Sequence, residues 1–268
     1  MENKLNLSVI LPIKSALMKS FDHYFEKAIK SLQVQVVGFN ELIIVHTKEE
    51  NLVNILKSYD FGDLNVKLVE FDGESNYQKQ VNLGIESASS EWISFFEVDD
   101  EYANIWFKNV LKYAESYPDV DAFLPIVVDV DEKEVFVGFT NEATFAASFT
   151  QEMGFLNNET LMDFQNFQTA GMVVKKRVLE DYGSFKPSMK LTFVYELLLR
   201  LTYNSLRIMT IPKIGYKHTA MREGSIFWNY KNGSEIMTEP EVKFWISTAK
   251  KEFYFAEDRN IKYEVENV

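Results

Sequence analysis

Apolar and polar positions fall into short alternating blocks along the first 120 residues. Leu7 to Leu11 is a compact apolar run closed by Pro12, which predicts a strand. Phe21, Phe25, Ala28, Ile29 and Leu32 then recur at helical spacing and predict a helix over 21–32. The same rhythm repeats. Strands are expected at 41–45, ending at His46 and Thr47, at 66–71 and at 92–96. Helices are expected at 51–59, 77–87 and 104–116. Strands alternating with helices at this spacing predict βαβ units and a parallel sheet.

After Asp121 the rhythm changes. Ala122 to Val128 reads as a strand that pairs as a hairpin with Glu134 to Phe139. Asn141 to Gln168 carries Phe, Met, Asn and Thr without a clean period. Strand character returns at Thr169 to Val174, followed by a short helix over 177–182 that Gly183 stops. Leu191 to Thr202 is amphipathic, with Leu191, Val194, Leu197, Leu198 and Leu201 on one face. A strand at 207–211 is expected to end at Pro212, so that Tyr216, Lys217 and His218 lead into a polar loop. A last amphipathic helix spans Glu241 to Glu257.

Composition narrows the class. With 268 residues, 46% of them hydrophobic and 15% aromatic, the chain is globular material able to bury a sizeable core. Its 28 basic and 40 acidic residues give a net charge of −12, which repels a polyanion and weighs against nucleic acid as a partner. There are no cysteines, which removes disulfides, thiol nucleophiles and thiolate zinc sites. No segment reaches eighteen consecutive apolar residues and no signal-peptide pattern opens the chain, so a cytoplasmic location is expected.

One cluster carries candidate chemistry. Glu97-Val98-Asp99-Asp100-Glu101 follows the buried run Trp92 to Phe96. Carboxylates at the end of a buried strand must face a cavity, a cation or water. Open α/β sheets place ligands at such strand ends, and oxygen-rich clusters suit Mg²⁺ or Mn²⁺ beside phosphate. A solvated acidic turn is the competing reading.

Three stretches carry a family resemblance. Gln80 to Ala88 followed by Glu91 to Asp100 resembles the Asn-x-Gly helix and "Phe-Leu-Asp-x-Asp-Asp" strand end of family 2 nucleotide-sugar glycosyltransferases of the GT-A type. Gly171 to Phe185 resembles that family's acceptor-side strand, helix and turn. Tyr216-Lys217-His218 with Arg222 and Ser225 resembles its late His-containing loop. The resemblance implies a Rossmann-like, mostly parallel mixed sheet flanked by helices. It divides into a nucleotide-sugar half (1–102), an acceptor half (103–225) and a C-terminal helical extension (226–268).

It also implies a reaction and a site. Pro12, Lys14, His46 and Thr47 would hold the nucleotide, and Gln78 and Asn82 would border the base and sugar. Glu97, Val98 and Asp99 would occupy the Asp-x-Asp position, with Asp100 behind them. Glu97, Asp99 and His218 would hold Mn²⁺ or Mg²⁺ on the diphosphate of a nucleoside-diphosphate sugar, and Arg222 would offset phosphate charge. The expected activity is metal-dependent, inverting transfer to a glycan or other hydroxyl acceptor.

The departures open one alternative, a donor-binding module with little turnover; a viral-type transferase acting on modified DNA bases is another, against which the net charge of −12 weighs. Strand two ends in His46 and Thr47 where the family has acidic residues. The family's Glu-Asp pair, whose Asp deprotonates the acceptor, falls on Phe193 and Val194 when Arg200 is the anchor. Glu196 lies about 200° further round the helix. It is a candidate base, with an i,i+4 ion pair to Arg200 as its other role. Asp163 is the second candidate. Trp228 and Tyr230 are candidates for a sugar-stacking platform, with packing against the C-terminal helix as the alternative.

Overall fold

A computed structural model of the chain describes residues 4–74, 76–142 and 154–264. The strands are β1 (Lys4–Ile13), β2 (Gly38–His46), β3 (Val66–Glu70), β4 (Trp92–Phe95), β5 (Glu101–Tyr102), β6 (Ala122–Val130), β7 (Phe136–Thr140), β8 (Val173–Lys175) and β9 (Ile208–Thr219). The helices are α1 (Phe21–Gln33), α2 (Glu50–Ser58), α3 (Tyr77–Ser87), α4 (Trp106–Ser116) and α5 (Asn158–Asp163). They continue with α6 (Lys176–Tyr182), α7 (Phe193–Tyr203), α8 (Ile226–Asn232) and α9 (Glu239–Glu252).

Among the described residues the strands form one sheet in the order β3-β2-β1-β4-β8-β6-β9-β5, with β7 on β6. The pairs β3·β2, β2·β1 and β1·β4 are parallel, as the βαβ rhythm predicts. Beyond β4 the sheet is mixed: β8 is antiparallel to β4 and β6, β7 to β6 and β5 to β9, while β6 and β9 run parallel. The expected mixed sheet is present: it is parallel from β3 to β4 and again between β6 and β9, with antiparallel pairs between and beside them. The parallel pair beyond β4, β6 and β9, is joined through the helices α5, α6 and α7, as a parallel connection requires.

Alternating strand residues feed two buried cores. Val9, Leu11, Leu42, Ile44, Trp92 and Phe96 face one, and Ile10, Ile43, Val45, Ile93 and Phe95 face the other. Trp245 and Ala249 of α9, with Phe253 directly after it, belong to the second core, so the C-terminal helix packs into the same body as α7. Gly84 lets α3 lie directly on the sheet, since a Cβ there would stand 2.4 Å from Ile10 Cγ2.

Two sequence expectations need correction. Proline does not end β9. Ile211 pairs with Pro125 and Ile214 with Ile126, so Pro212 and Lys213 sit in a bulge, where a missing N–H costs no ladder bond. The strand continues to Thr219, so Tyr216, Lys217 and His218 are strand residues rather than loop. Within the unpatterned stretch 141–168, residues 143–153 lie outside the described set, and 158–163 form the short helix α5.

Glu41 pins the entry edge of the parallel half. It is buried and accepts hydrogen bonds from Ser8 Oγ (2.7 Å), Ser89 N (2.8 Å) and Ser89 Oγ (2.7 Å). Burial works to raise its pKa, yet these bonds outweigh it and hold the carboxyl below its usual 4.5. A depressed carboxyl pKa adds stability above the ordinary value, and that stability is lost as pH falls through the folded value. We expect Glu41→Gln to cost about 2 kcal/mol at pH 7. The gap to wild type should narrow as urea denaturation is repeated at falling pH below 4.5.

Candidate active site

The sheet has a switch point between β1 and β4. From β1 the chain proceeds to β2 and β3 on one side, while β4 lies on the other. The loops after β1 and β4 therefore diverge and leave a crevice at the carboxyl ends of these strands. Phe96 N still bonds Ile10 O (3.0 Å), and the acidic turn begins at the next residue.

That turn is stitched to the end of β9 by three successive ion pairs. Asp99 Oδ2 accepts from Arg222 Nε at 2.5 Å, Asp100 faces His218 Nδ1 at 3.1 Å, and Glu101 pairs with Lys217. The backbone adds to this: Glu101 and Tyr102 form β5, opposite Lys217 and Tyr216. Thr219 N donates to Asp100 Oδ1 (2.9 Å), and Thr219 Oγ1 donates to the Asp99 carbonyl (2.6 Å). Glu97 N donates to Tyr216 Oη at 3.1 Å, and Tyr77 Oη donates to Glu97 Oε1 at 3.4 Å.

Three carboxylates, Glu97, Asp99 and Asp100, thus share a poorly solvated site with two cations, His218 and Arg222. Burial and the charges of Asp100 and Asp99 push Glu97 up to about 8 against the pull of His218 and Arg222. Asp99 is raised by burial and by Asp100. For His218, burial favours the neutral ring, but the charge and hydrogen bond of Asp100, with Glu97 and Asp99, raise it to about 10. The protonated ring has an N–H on both nitrogens, and Asp100 uses the Nδ1 side.

Carboxylate oxygens suit a hard divalent cation, and an imidazole whose Nδ1 is held by a carboxylate is the usual form of an oriented metal ligand. The donor set fits in kind. Among the described residues, however, no three His, Asp or Glu side chains converge at metal-ligand spacing. Asp99 is engaged by Arg222 and His218 by Asp100.

The other expected site residues are placed as follows. Pro12, at Val45, and His46, at Ile13, lie at the carboxyl ends of β1 and β2. His46 Nδ1 is 2.9 Å from Thr47 O, and Thr47 Oγ1 donates to Lys14 O at 2.8 Å. Gln78 and Asn82 turn their amides on the segment after α6: Gln78 Nε2 donates to Met189 O (2.6 Å), and Asn82 exchanges bonds of 2.7 and 3.2 Å with Phe185. Val98 is buried in the core. Gly171 is tightly packed. Its φ is +70°, and a Cβ would stand 2.5 Å from Tyr216 Cδ2.

Neither candidate base joins this crevice by a described contact. Glu196 is fully buried, with Arg200 Nε and Lys186 Nζ each 2.9 Å from Oε1, so its ion-pair role is the one the structure displays. Arg200 also donates to the carbonyls of Tyr182, Gly183 and Ser184, which makes Glu196 the anion that holds this loop. Asp163 is exposed at the end of α5, beside the Tyr195 phenol. Phe193 packs against Tyr77, Phe185 and Phe227 at centroid distances of 5.7, 5.8 and 6.1 Å. Phe227, an exposed ring that stacks on Phe193, escaped the sequence reading, which pointed to Trp228 and Tyr230 on the same short helix. Thr219, and the position of Tyr216 within a strand, escaped notice because Pro212 masks the continuation of β9.

The fold, the switch-point crevice and the acidic turn match a known class. Residues 8–183 fit the model of glycosyl transferase family 2, and the chain belongs to that family. No protein among curated sequences matches it significantly. Among solved structures it resembles TarS of S. aureus. For residues 1–349 of TarS in complex with UDP-GlcNAc, identity is 19% and the TM-score 0.62, over 91% of this chain and 66% of that one. For the complex with UDP the figures are 18% and 0.60, over 97% and 76%. Against a further structure of S. aureus TarS this chain spans 46% of the neighbour, at 17% identity and a TM-score of 0.59. At this identity the likeness is one of fold.

Removing Glu196 would leave Lys186 and Arg200 as buried, unpaired cations. We expect Glu196→Gln to cost about 3 kcal/mol or more in urea denaturation. Nucleotide binding by the folded fraction should be unchanged. A variant that kept its stability would instead show that Glu196 does not hold this loop.

Proposed function

We propose that this chain transfers a sugar from a uridine-diphosphate donor, of which UDP-GlcNAc is the first candidate, to an acceptor hydroxyl. The observation that carries this reading is the joining of the acidic turn to the cationic end of β9 at the sheet's switch point. The nucleotide sits at the carboxyl ends of β1 and β2, against Pro12, Lys14, His46 and Thr47. The diphosphate lies against residues 97–101. His218 and Arg222 offset its charge, the protonated ring donating through Nε2 and the guanidinium through its fork. Glu97 and Asp99 are the residues that would hold Mn²⁺ or Mg²⁺, which when bound would shield the diphosphate and stabilise it as leaving group. Attack by a deprotonated hydroxyl on the anomeric carbon from the face opposite the diphosphate forms the new glycosidic bond as the C–O bond to phosphate breaks. One such displacement inverts the sugar.

A second reading, donor binding without efficient transfer, is favoured by one observation. Where the family carries its Glu-Asp pair, α7 begins with Phe193 inside an aromatic cluster.

Donor binding to the native state raises its stability by about 2.7 kcal/mol at a hundred times the dissociation constant. We therefore expect UDP and UDP-GlcNAc with Mn²⁺ to raise the melting temperature by several degrees, and Asp99→Asn to abolish the shift. No shift with any nucleotide would contradict both readings. Given binding, release of UDP on addition of a hydroxyl acceptor supports transfer, whereas stoichiometric binding with no UDP released supports the second reading.

A further inference from the structure

Beside the acidic turn lies a cleft of about 500 Å³, walled by the first turns of α1 and by the tight turn joining β6 to β7. The volume is within the roughly 300–1,000 Å³ common for small-molecule sites. Asp99 and Thr219 line it, so the cleft opens onto the carboxylate assigned above to the donor side. Its α1 wall presents His23 and Tyr24. The opposite wall is fixed, because Asp131 Oδ1 accepts from Lys133 N (2.8 Å) and Val135 N (2.9 Å) and so locks the turn.

The charges of this cleft are largely spent on one another. Five carboxylates and three lysines line it. Lys27 is paired with Glu134 and Lys217 with Glu101, while Asp99 is held by Arg222. Glu132 and Lys133, one of each sign, stand exposed at the rim. A phosphate, sulfate or carboxylate would meet an acidic excess, with two of the three lysines already neutralised. A polyamine would find most carboxylates already bonded. Hydroxyl groups, which donate and accept at once, match such a surface. The Tyr24 phenol adds a neutral donor, since burial and the charges of Glu132 and Asp99 raise its pKa over the opposing effect of Arg222 and Lys27.

We propose that the cleft between α1 and the β6–β7 turn binds an uncharged polyhydroxyl chain, a neutral glycan, and that this glycan is the acceptor. The acceptor role rests on the transferase reading above; the binding does not. The test is a glycan array probed with the full chain, carrying neutral gluco-, galacto-, manno- and N-acetylglucosamine-based oligosaccharides beside sulfated, phosphorylated and uronic ones. Calorimetry of the strongest binder follows, on wild type, Tyr24→Phe and His23→Ala. We expect binding confined to neutral members, at least fivefold weaker in each variant, with UDP affinity unchanged within twofold. Binding confined to anionic members, binding to none, or binding indifferent to both variants would overturn the proposal. So would a parallel fall in UDP affinity, which would make the cleft part of the donor site. Neutral-glycan binding without any UDP or UDP-GlcNAc binding would overturn the transferase reading and leave the glycan site standing.

Discussion

Buried negative charge is the constraint around which the carboxyl end of this sheet is arranged. Glu97, Asp99 and Asp100 leave β4 together, and like charges in poorly solvated surroundings cannot all stay ionised without cations at hand. The chain supplies those cations more than a hundred residues later, in Lys217, His218 and Arg222. Each meets one carboxylate in antiparallel order, and β5 exists as a strand because of that meeting. Among the described residues Glu97 has no such ion pair of its own, and burial together with the charge of Asp100 pushes its carboxyl up to about 8.

The mixed half of the sheet follows from this requirement. β9 must run past β6 and reach the turn after β4, so it extends through Pro212 by bulging rather than stopping. Trp106 Nε1 bonds Gly171 O at 3.0 Å, and Gly171 N bonds Phe95 O at 3.0 Å, tying α4 and the approach to β8 to the same strand end. On the other face, Gln78 and Asn82 of α3 grip the segment 185–189, while from α7 Glu196 holds Lys186 of that segment and Arg200 holds the carbonyls of residues 182–184 just before it. The crevice is therefore bounded by elements that a buried polar network holds in place.

Much of this was legible in the sequence where the period was clean. The helix predicted over 77–87 has those bounds, and the first four sheet strands fall within a few residues of their apolar runs. The acidic turn was legible as a cost that had to be met, and His218 and Arg222 as part of a recurring family pattern. What local pattern could not reveal was long-range. Proline at 212 signals a strand end unless a bulge absorbs it, and nothing near residue 212 announces that bulge. Glu196 carried two readings in sequence, and only its burial beside Lys186, ten residues away, separates them. The cleft beside α1 joins residues from four separate segments with no shared motif.

The central claim is that the joined acidic turn and β9 end form a diphosphate site. It is tested most directly by calorimetric titration of uridine and UDP, each with Mn²⁺, into wild type, His218→Ala and Arg222→Ala. The account predicts that UDP binding weakens at least tenfold in both variants while uridine binding stays as it is. If both ligands weaken equally, or neither does, the two cations serve only the fold, and the diphosphate site lies elsewhere.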